Sequence, residues 1–309
     1  MDKAKQDNET KIPYEELDYE PLTNDLLFHM VFTKNEQALR SLLSCLLDIP
    51  QTEMREIEIL NPMQYTEAID TKLTVLDLKL HLNNEKYILI EMQVRRFINW
   101  TNRTLAYASR QIADQIRGKE FEYDQIQPVV QIAIMDHTLF PEHKKFMSKY
   151  LLRDEEGYIY SDKLEFIVMD LTAVDEASEK EKEQGLVEWA DAFRADSWDS
   201  AGQIENEGVK EAMKTMSMIM ATPSERQLIW DRRMAIWDYN SSMSGARKAG
   251  REEGKKVGRE EGRKVGREET EALIAKLVSE NRIEDIRRST TDPAFREKLY
   301  QELLSEDEN

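Results

Sequence analysis

Two short apolar segments, residues 73–82 and 86–94, constrain the fold more than any other part of the sequence. In both, aliphatic residues alternate with polar or charged ones. Side chains of a strand point alternately to its two faces, so each segment is predicted to be a strand with one apolar face. The linker, residues 83–85, begins with two asparagines, which tolerate positive φ and suit a tight turn. The sequence therefore predicts an antiparallel hairpin in which Leu82 pairs with Lys86.

This register would bring two acidic side chains together. It places Asp77 directly opposite Glu91, with their Cβ atoms about 5 Å apart, and puts Lys79 and Gln93 on the same face. Two carboxylates at that distance repel each other, and a divalent cation between them would compensate the repulsion. The spacing alone is equally consistent with Asp77 paired to Lys79 or to an arginine on an exposed sheet face.

Helical and strand patterns surround this hairpin. Runs of apolar residues at helical spacing alternate with short runs rich in β-branched residues, which favours an α/β fold with a mixed central sheet flanked by helices. After about residue 172 the strand patterns end and amphipathic helical patterns continue. The predicted elements are a helix from Asp25 with Asn24 or Thr23 as its cap, a helix over 35–47, a strand over 56–60, the hairpin over 73–94, a helix over 102–117 closed by Gly118, and strands over 128–135 and 164–171.

Shifts in composition divide the chain into five segments. They are a flexible acidic arm (1–20), an α/β core (21–175), a helical region (176–240), a repeat of Gly, Glu, Arg and Lys (241–270) and short terminal helices (271–309). Glycine recurs at every fourth position from 250 to 266, and each glycine disfavours a helix by about 1 kcal/mol. A flexible or marginally helical linker is favoured for this repeat, with a self-associating helix that makes a homo-oligomer as the alternative.

Composition disfavours several classes of protein, among them membrane, secreted and zinc-binding proteins. No apolar run approaches the ~20 residues needed to span a membrane, and the start of the chain lacks a signal-peptide pattern. The single cysteine, Cys45, lies among leucines and is predicted to be a core residue, which suits a reducing cytoplasm. Net charge is −18, but residues 21–140 hold 16 acidic against 12 basic residues, a difference of −4, so nucleic-acid binding is disfavoured without being excluded. The four histidines show no zinc-ligand spacing.

Arginines recur every seven residues after the hairpin. Positions seven apart on a helix differ by only about 20° around its axis, so the arginines of the 102–117 helix would form a stripe that could hold phosphates. The equal alternative is a solvated face on which Arg110 pairs with Asp114. Tyr107 and Gln111 lie on the neighbouring face, toward the site. The four arginines are Arg96, Arg103, Arg110 and Arg117.

Several of these motifs occur in the order of a known family. From Leu22 to Met135 the chain resembles the PD-(D/E)xK nuclease superfamily, in its recombination-promoting nuclease and transposase branch. The resemblance is carried by Asn24-Asp25-Leu26-Leu27-Phe28, Leu60-Asn61-Pro62, Leu76-Asp77, Ile90-Glu91-Met92-Gln93, Arg103 and Tyr107. The later strand at Glu165-Phe166 and the Gly/Glu/Arg repeat near the C-terminus also resemble that branch, so the resemblance covers roughly half of the chain.

The resemblance implies a restriction-endonuclease-like core that hydrolyses DNA with Mg²⁺, or Mn²⁺ in its place, in recombination or transposition. Asp77 and Glu91 would be the metal ligands and Asp25 an accessory acid, although Asp25 is also explained as a first-turn acid of a helix. Gln93 stands where the superfamily usually has lysine, as in this branch, and Lys79 would supply the missing positive charge. The alternative is a nuclease fold retained as a non-catalytic module for binding or assembly.

Overall fold

A computed structural model of the protein describes residues 17–60, 78–97, 99–118 and 120–303. The chain forms two compact units, Met1–Ala235 and Ile236–Asn309. Asp77 and the rest of residues 61–77 lie outside the described residues, as do residues 1–16 of the predicted arm.

A mixed sheet forms the centre of the first unit. Across it the strand order is β1-β2-β3-β4-β6-β5. Strand β3 is antiparallel to β2 and parallel to β4, β4 is parallel to β6, and both outer pairs are antiparallel. This confirms the predicted α/β class. The six strands found in the described ranges are β1 (Ile57–Ile59), β2 (Leu78–Leu82), β3 (Lys86–Gln93), β4 (Val129–Met135), β5 (Met147–Arg153) and β6 (Ile159–Asp170).

The hairpin has the predicted register over its described length. Leu82 pairs with Lys86, and the ladder continues to Leu78 opposite Ile90. The turn uses positive φ at Asn83 (54°) and Asn84 (57°), the conformation that asparagine tolerates better than most residues. The ladder thus fixes which residues of β3 share a face with β2.

Helices cover both faces of the sheet. Alternate β3 residues such as Ile88 and Ile90 pack into the main core, whereas Leu89 belongs to a separate cluster with Ala108 of the helix on the opposite face. In the main core lie helices α1, α2, α5 and α7, and α3 covers the other face. The helices are α1 (Asp25–Lys34), α2 (Glu36–Leu47), α3 (Trp100–Ala113), α4 (Glu179–Glu183), α5 (Leu186–Arg194), α6 (Trp198–Gly202), α7 (Glu207–Ala221) and α8 (Pro223–Ser279), with 3₁₀ turns at Gln51–Glu53, Tyr123–Gln125, Pro141–His143 and Leu171–Glu176.

Asparagine caps begin the first two helices. The Oδ1 atom of Asn24 accepts hydrogen bonds from the backbone N–H groups of Leu26 and Leu27, each at 3.1 Å. Asn35 ends α1 and caps α2 through a 2.9 Å bond from the N–H of Ala38. The first start matches the predicted cap, and the second helix begins one residue after the predicted Asn35, which caps it instead. Both side chains satisfy backbone donors that a helix leaves unpaired.

Three expectations about element boundaries need correction. The predicted arm is too long, because Leu17 is buried and its carbonyl accepts a bond from the Trp198 indole. Strand β5 was not anticipated and β6 begins earlier than residue 164. The segment from 176 is also no separate region, since α5 packs Trp189 against Phe32 in the sheet's own core. The first and third corrections reflect contacts between residues distant in sequence, whereas β5 pairs with β6, the next strand along the chain.

The third helix is shorter than predicted. It ends at Ala113, so Arg117 and Gly118 follow it instead of closing it. Beyond the end, the Gln115 side chain makes two hydrogen bonds with the Gln127 backbone, at 2.8 and 3.2 Å. This tie to the segment entering β4 competes with helix continuation.

The second unit consists of the remainder of α8 with α9 (Ile283–Thr291) and α10 (Pro293–Leu303) around a small core of Leu273, Leu277 and Leu299. Residues 241–270 are helical in this structure, which is compatible with the marginally helical form of the predicted linker and not with the flexible form. Self-association of the repeat stays a prediction. No helix in the described part of the chain combines the length and apolar character that crossing a bilayer requires.

Candidate active site

Glu91 is a buried carboxylate near the carboxyl end of β3. Only 4% of the residue is exposed, and on the parallel neighbour β4 it lies opposite Ala133. Its Oε2 accepts a hydrogen bond from the Arg103 Nη2 at 3.0 Å. Its Oε1 has no hydrogen-bond partner among the described residues. Arg103 therefore binds one oxygen of Glu91. The other oxygen is a buried acceptor that no donor among the described residues satisfies.

The environment of Glu91 shifts its proton affinity. Burial raises the pKa of Glu91 because the charged form loses hydration, and the charge and hydrogen bond of Arg103 oppose that rise. Burial prevails, so the pKa of Glu91 is raised overall. A second positive charge beside Oε1 would favour the ionised form.

Arg103 is held in an aromatic surround. Its Cζ atom lies 4.9 Å from the ring centre of Phe97, 4.7 Å from Trp100 and 5.9 Å from Tyr107. The side chain retains 19% exposure. Because rings attract cations over their faces, they hold the guanidinium toward β3 instead of letting it extend into solvent.

Gln93 completes this group. It is 7% exposed, and its Nε2 donates to the Arg95 carbonyl at 2.6 Å. Its Oε1 is 3.5 Å from the same Arg103 Nη2 that binds Glu91. The amide is thus oriented by the backbone on one side and contacts the arginine on the other.

The other predicted acid and the predicted cation lie in different environments. The Asp25 carboxylate forms an ion pair with Arg232, whose Nε is 3.1 Å from each oxygen, and it accepts a 2.8 Å bond from the Leu26 N–H. These contacts account for an acidic residue at this position, because Asp25 lies in the first turn of α1 and pairs with an arginine. Lys79 is half-buried and pairs with Leu89, so it lies on the sheet face that carries Glu91.

The predicted arginine stripe is not continuous. Arg103 turns to Glu91, whereas the Arg110 side chain is 80% exposed and lies 3.8 Å from Asp114. Arg117 is off the helix, and its Nε donates to the Asp114 carbonyl at 2.9 Å. Arg96 is exposed on the segment before α3.

Tyr107 and Gln111 both lie on the side of α3 that faces the sheet. Tyr107 is half-buried with its ring near Arg103, and Gln111 is 7% exposed. The structure thus brings together Glu91, Gln93, Arg103 and Tyr107.

Comparison with known proteins places this arrangement in a family. The model of the PD-(D/E)XK nuclease family transposases matches residues 22–246, well over half of the chain. The chain belongs to this family. Neither the curated proteins nor the solved structures yielded a match. The family assignment confirms the resemblance that the hairpin and first-helix motifs indicated.

Nucleases of the PD-(D/E)XK type generally use divalent metal ions. Within the described ranges, no group of three or more His, Cys, Asp or Glu side chains could hold a metal ion. Asp77, which the sequence predicts as a ligand, is not in those ranges. Glu91 fits the role in part, because carboxylate oxygens are the donors that Mg²⁺ prefers and its Oε1 is unpartnered there.

Two features of this transposase-family chain escaped the sequence analysis. The pairing of Arg103 with Glu91 was missed because the sequence gives only a seven-residue spacing of arginines. Gln131, buried in β4, was missed although a polar residue within an apolar strand is the same signal that marked Glu91.

Proposed function

We propose that the protein is a cytoplasmic, Mg²⁺-dependent DNA endonuclease that hydrolyses phosphodiester bonds with little sequence preference, in recombination or transposition. Mn²⁺ would substitute for Mg²⁺. The observation that carries the proposal is Glu91, a buried carboxylate with one oxygen bound to Arg103 and the other unpartnered among the described residues. It occurs in a chain of the PD-(D/E)XK nuclease family transposases.

Asp77 and Glu91 would hold the metal ion. Asp77 precedes Leu78 in the sequence, and Leu78 pairs with Ile90, the neighbour of Glu91. The confirmed register thus supports the predicted pair of acids as far as the structure describes it. A divalent ion bound by two such carboxylates lowers the pKa of water and neutralises charge on the phosphate in the transition state.

Arg103 would supply the positive charge that the superfamily's lysine usually provides, a role that the sequence assigns to Lys79. Its guanidinium contacts both Glu91 and Gln93, so the positive charge at this point of β3 comes from α3. Arginine donates through several N–H groups and pairs well with phosphate oxygens. We assign Arg103 to stabilising charge on the phosphate and Gln93 to orienting that arginine, with Lys79 as a further cation on the same face.

Exposed arginines would position the DNA backbone. Arg96, Arg110 and Arg117 are exposed on and around α3, the helix that carries Arg103. Contacts to phosphates carry little sequence information, which is why little preference is expected. Tyr107 and Gln111 would support the inner side of this helix.

A plasmid-nicking assay tests the proposal. Purified protein is incubated with supercoiled DNA in Mg²⁺, Mn²⁺, Ca²⁺ or EDTA, and Glu91→Gln and Asp77→Asn are compared with wild type. Loss of a metal ligand removes several kcal/mol of transition-state stabilisation, so cleavage should fall by more than about 100-fold. The matched control is Glu85→Gln, because Glu85 is an exposed acid in the turn of the same hairpin.

Cleavage that needs Mg²⁺ or Mn²⁺ and is lost in both site variants, but not in Glu85→Gln, supports the endonuclease. Equal nicking by all variants refutes the assigned residues. DNA binding without cleavage under any metal condition would favour the non-catalytic module instead.

A further inference from the structure

A cavity of about 220 Å³ lies beside the candidate active site, under α3. Its walls come from α3, β4, β5, β6 and the segment after β4. The lining is almost entirely apolar and rich in aromatic side chains, which are Trp100, Phe140, Tyr150 and Phe166. Phe140 and Tyr150 contact each other edge to face, with ring centres 6.2 Å apart. The volume exceeds the roughly 150 Å³ of a protein cavity that binds benzene, so a planar ring system fits by size.

Besides Thr101, Thr104 and Tyr150, the polar side chain of Gln131 lines this largely apolar space. Gln131 is 1% exposed, and neither its amide oxygen nor its amide nitrogen has a hydrogen-bond partner among the described residues. An unpaired buried polar group is destabilising, so a primary amide with both atoms unpaired is a poor choice for packing alone. A ligand that presents one donor and one acceptor side by side would satisfy both atoms.

The cavity adjoins Glu91 by two routes. Ala133, which lines it, is the β4 residue paired with Glu91 of β3, and adjacent strands are separated by about 4.8 Å. Trp100 lines it as well, and its ring lies 4.7 Å from the Cζ of Arg103. A DNA strand held at Glu91 and Arg103 would therefore pass close to the cavity.

We propose that this cavity receives a single nucleobase swung out of the bound DNA. The inference rests on the proposed function, since it takes DNA as the substrate. The edge of adenine carries a donor and an acceptor that a glutamine amide matches bidentately, and aromatic side chains stack on bases. The enzyme would thus favour DNA with an unpaired base, because such a base leaves the duplex at little cost.

Binding measured in Ca²⁺, without cleavage, tests the inference. Three duplexes are compared: one fully paired, one with a single unpaired adenine, and one with an abasic residue at that same unpaired position. The abasic duplex is equally deformable but has no base to insert. Wild type should bind the unpaired-adenine duplex about 10-fold more tightly than the other two, which is within the range of a bidentate base contact.

Two variants change the cavity in different ways. Gln131→Met keeps the volume and removes both hydrogen-bonding atoms, and it should fold at least as stably because an unpaired buried amide is lost. Val168→Phe fills the cavity from β6, the strand beyond β4. Both should bind all three duplexes alike. Gln203→Met, an exposed glutamine exchanged in the same way, should keep the 10-fold preference.

The inference is overturned if wild type shows no preference for the unpaired adenine, if it binds the abasic duplex as tightly, or if both cavity variants retain the preference. The nicking assay separates these failures from failure of the proposed function. A wild type that cleaves plasmid in Mg²⁺ but shows no preference refutes the nucleobase site alone, and a wild type that binds no duplex refutes both.

Discussion

Replacing Arg103 by methionine should destabilise the protein strongly, although the Arg103 side chain is 19% exposed. Methionine keeps the length of the side chain and its contact with the three rings but removes the charge that binds Glu91. The Glu91 carboxylate, 4% exposed, would then be left without its cation. Removing one partner of a buried ion pair costs about 3–5 kcal/mol, and because Arg103 is partly solvated we expect about 2–3 kcal/mol at neutral pH.

The loss should depend on pH in a defined direction. Burial raises the pKa of Glu91 and Arg103 opposes that rise, so in Arg103→Met the pKa rises further. Below the unfolded-state pKa of about 4.3, Glu91 is protonated in both folded and unfolded chains and the unpaired carboxylate costs nothing. Between that value and the raised folded-state pKa, the unfolded chain is ionised while the folded chain stays protonated, so folding must take up a proton and stability falls as pH rises. The gap between variant and wild type should therefore be smallest near pH 4 and widen toward neutrality.

Urea unfolding from pH 4 to pH 8, followed by circular dichroism, measures this gap. Arg110→Met is the matched control, since Arg110 lies two turns along α3 and forms only an exposed pair with Asp114. An exposed pair of this kind contributes about 0.3–0.5 kcal/mol, so the control should stay close to wild type at every pH. If Arg103→Met and Arg110→Met lose equal stability, or if the Arg103→Met gap does not change with pH, the Glu91–Arg103 pair has been misjudged.

Three further outcomes are expected. Arg110→Ala should weaken binding of any DNA sequence and reduce the magnitude of the slope of log affinity against log salt by about one. An unchanged slope would show that Arg110 is a solvated surface residue that contacts no phosphate. Gly208→Ala should cost about 1–3 kcal/mol in urea unfolding, because a Cβ there would overlap the Ser41 side chain, whereas Gly202→Ala, which meets nothing within 4 Å, should not be destabilising. A peptide of residues 245–270 should be mostly unfolded by circular dichroism, since its five glycines from 250 to 266 alone disfavour the helix by about 4–5 kcal/mol relative to alanine; a stably helical monomer would contradict this.

Local rules were sufficient where one short segment determines its own conformation. The hairpin register follows from alternation and from two asparagines at positive φ, and the caps at Asn24 and Asn35 follow from side chains that bond nearby N–H groups. None of these features needs a partner from elsewhere in the chain. The acidic residue in β3 was also visible, because a carboxylate in an apolar strand demands compensation.

Local rules failed where a distant residue decides the outcome. The end of α3 depends on Gln115 bonding to the Gln127 backbone, and the environment of Asp25 depends on Arg232, more than 200 residues away in sequence. Strand β5 escaped prediction for a different reason: it pairs with β6, the next strand along the chain, but its register shifts after Leu151, so its pattern lacks regular alternation. The seven-residue spacing likewise predicts the same role for Arg103 and Arg110. They differ because Arg103 pairs with Glu91 of the sheet beneath α3, whereas Arg110 is exposed.

The glutamine at position 93 and the arginine at position 103 are best understood together. Arg103 Nη2 is 3.0 Å from Glu91 and 3.5 Å from the Gln93 oxygen, so a lysine at position 93 would put a second cation beside the guanidinium. Like charges that close repel, and both would compete for Glu91. A neutral amide avoids this and accepts from the arginine instead. Gln93→Lys should therefore be tolerated better in an Arg103→Met background than in wild type, because a lysine at position 93 and Arg103 would compensate the charge of the same carboxylate.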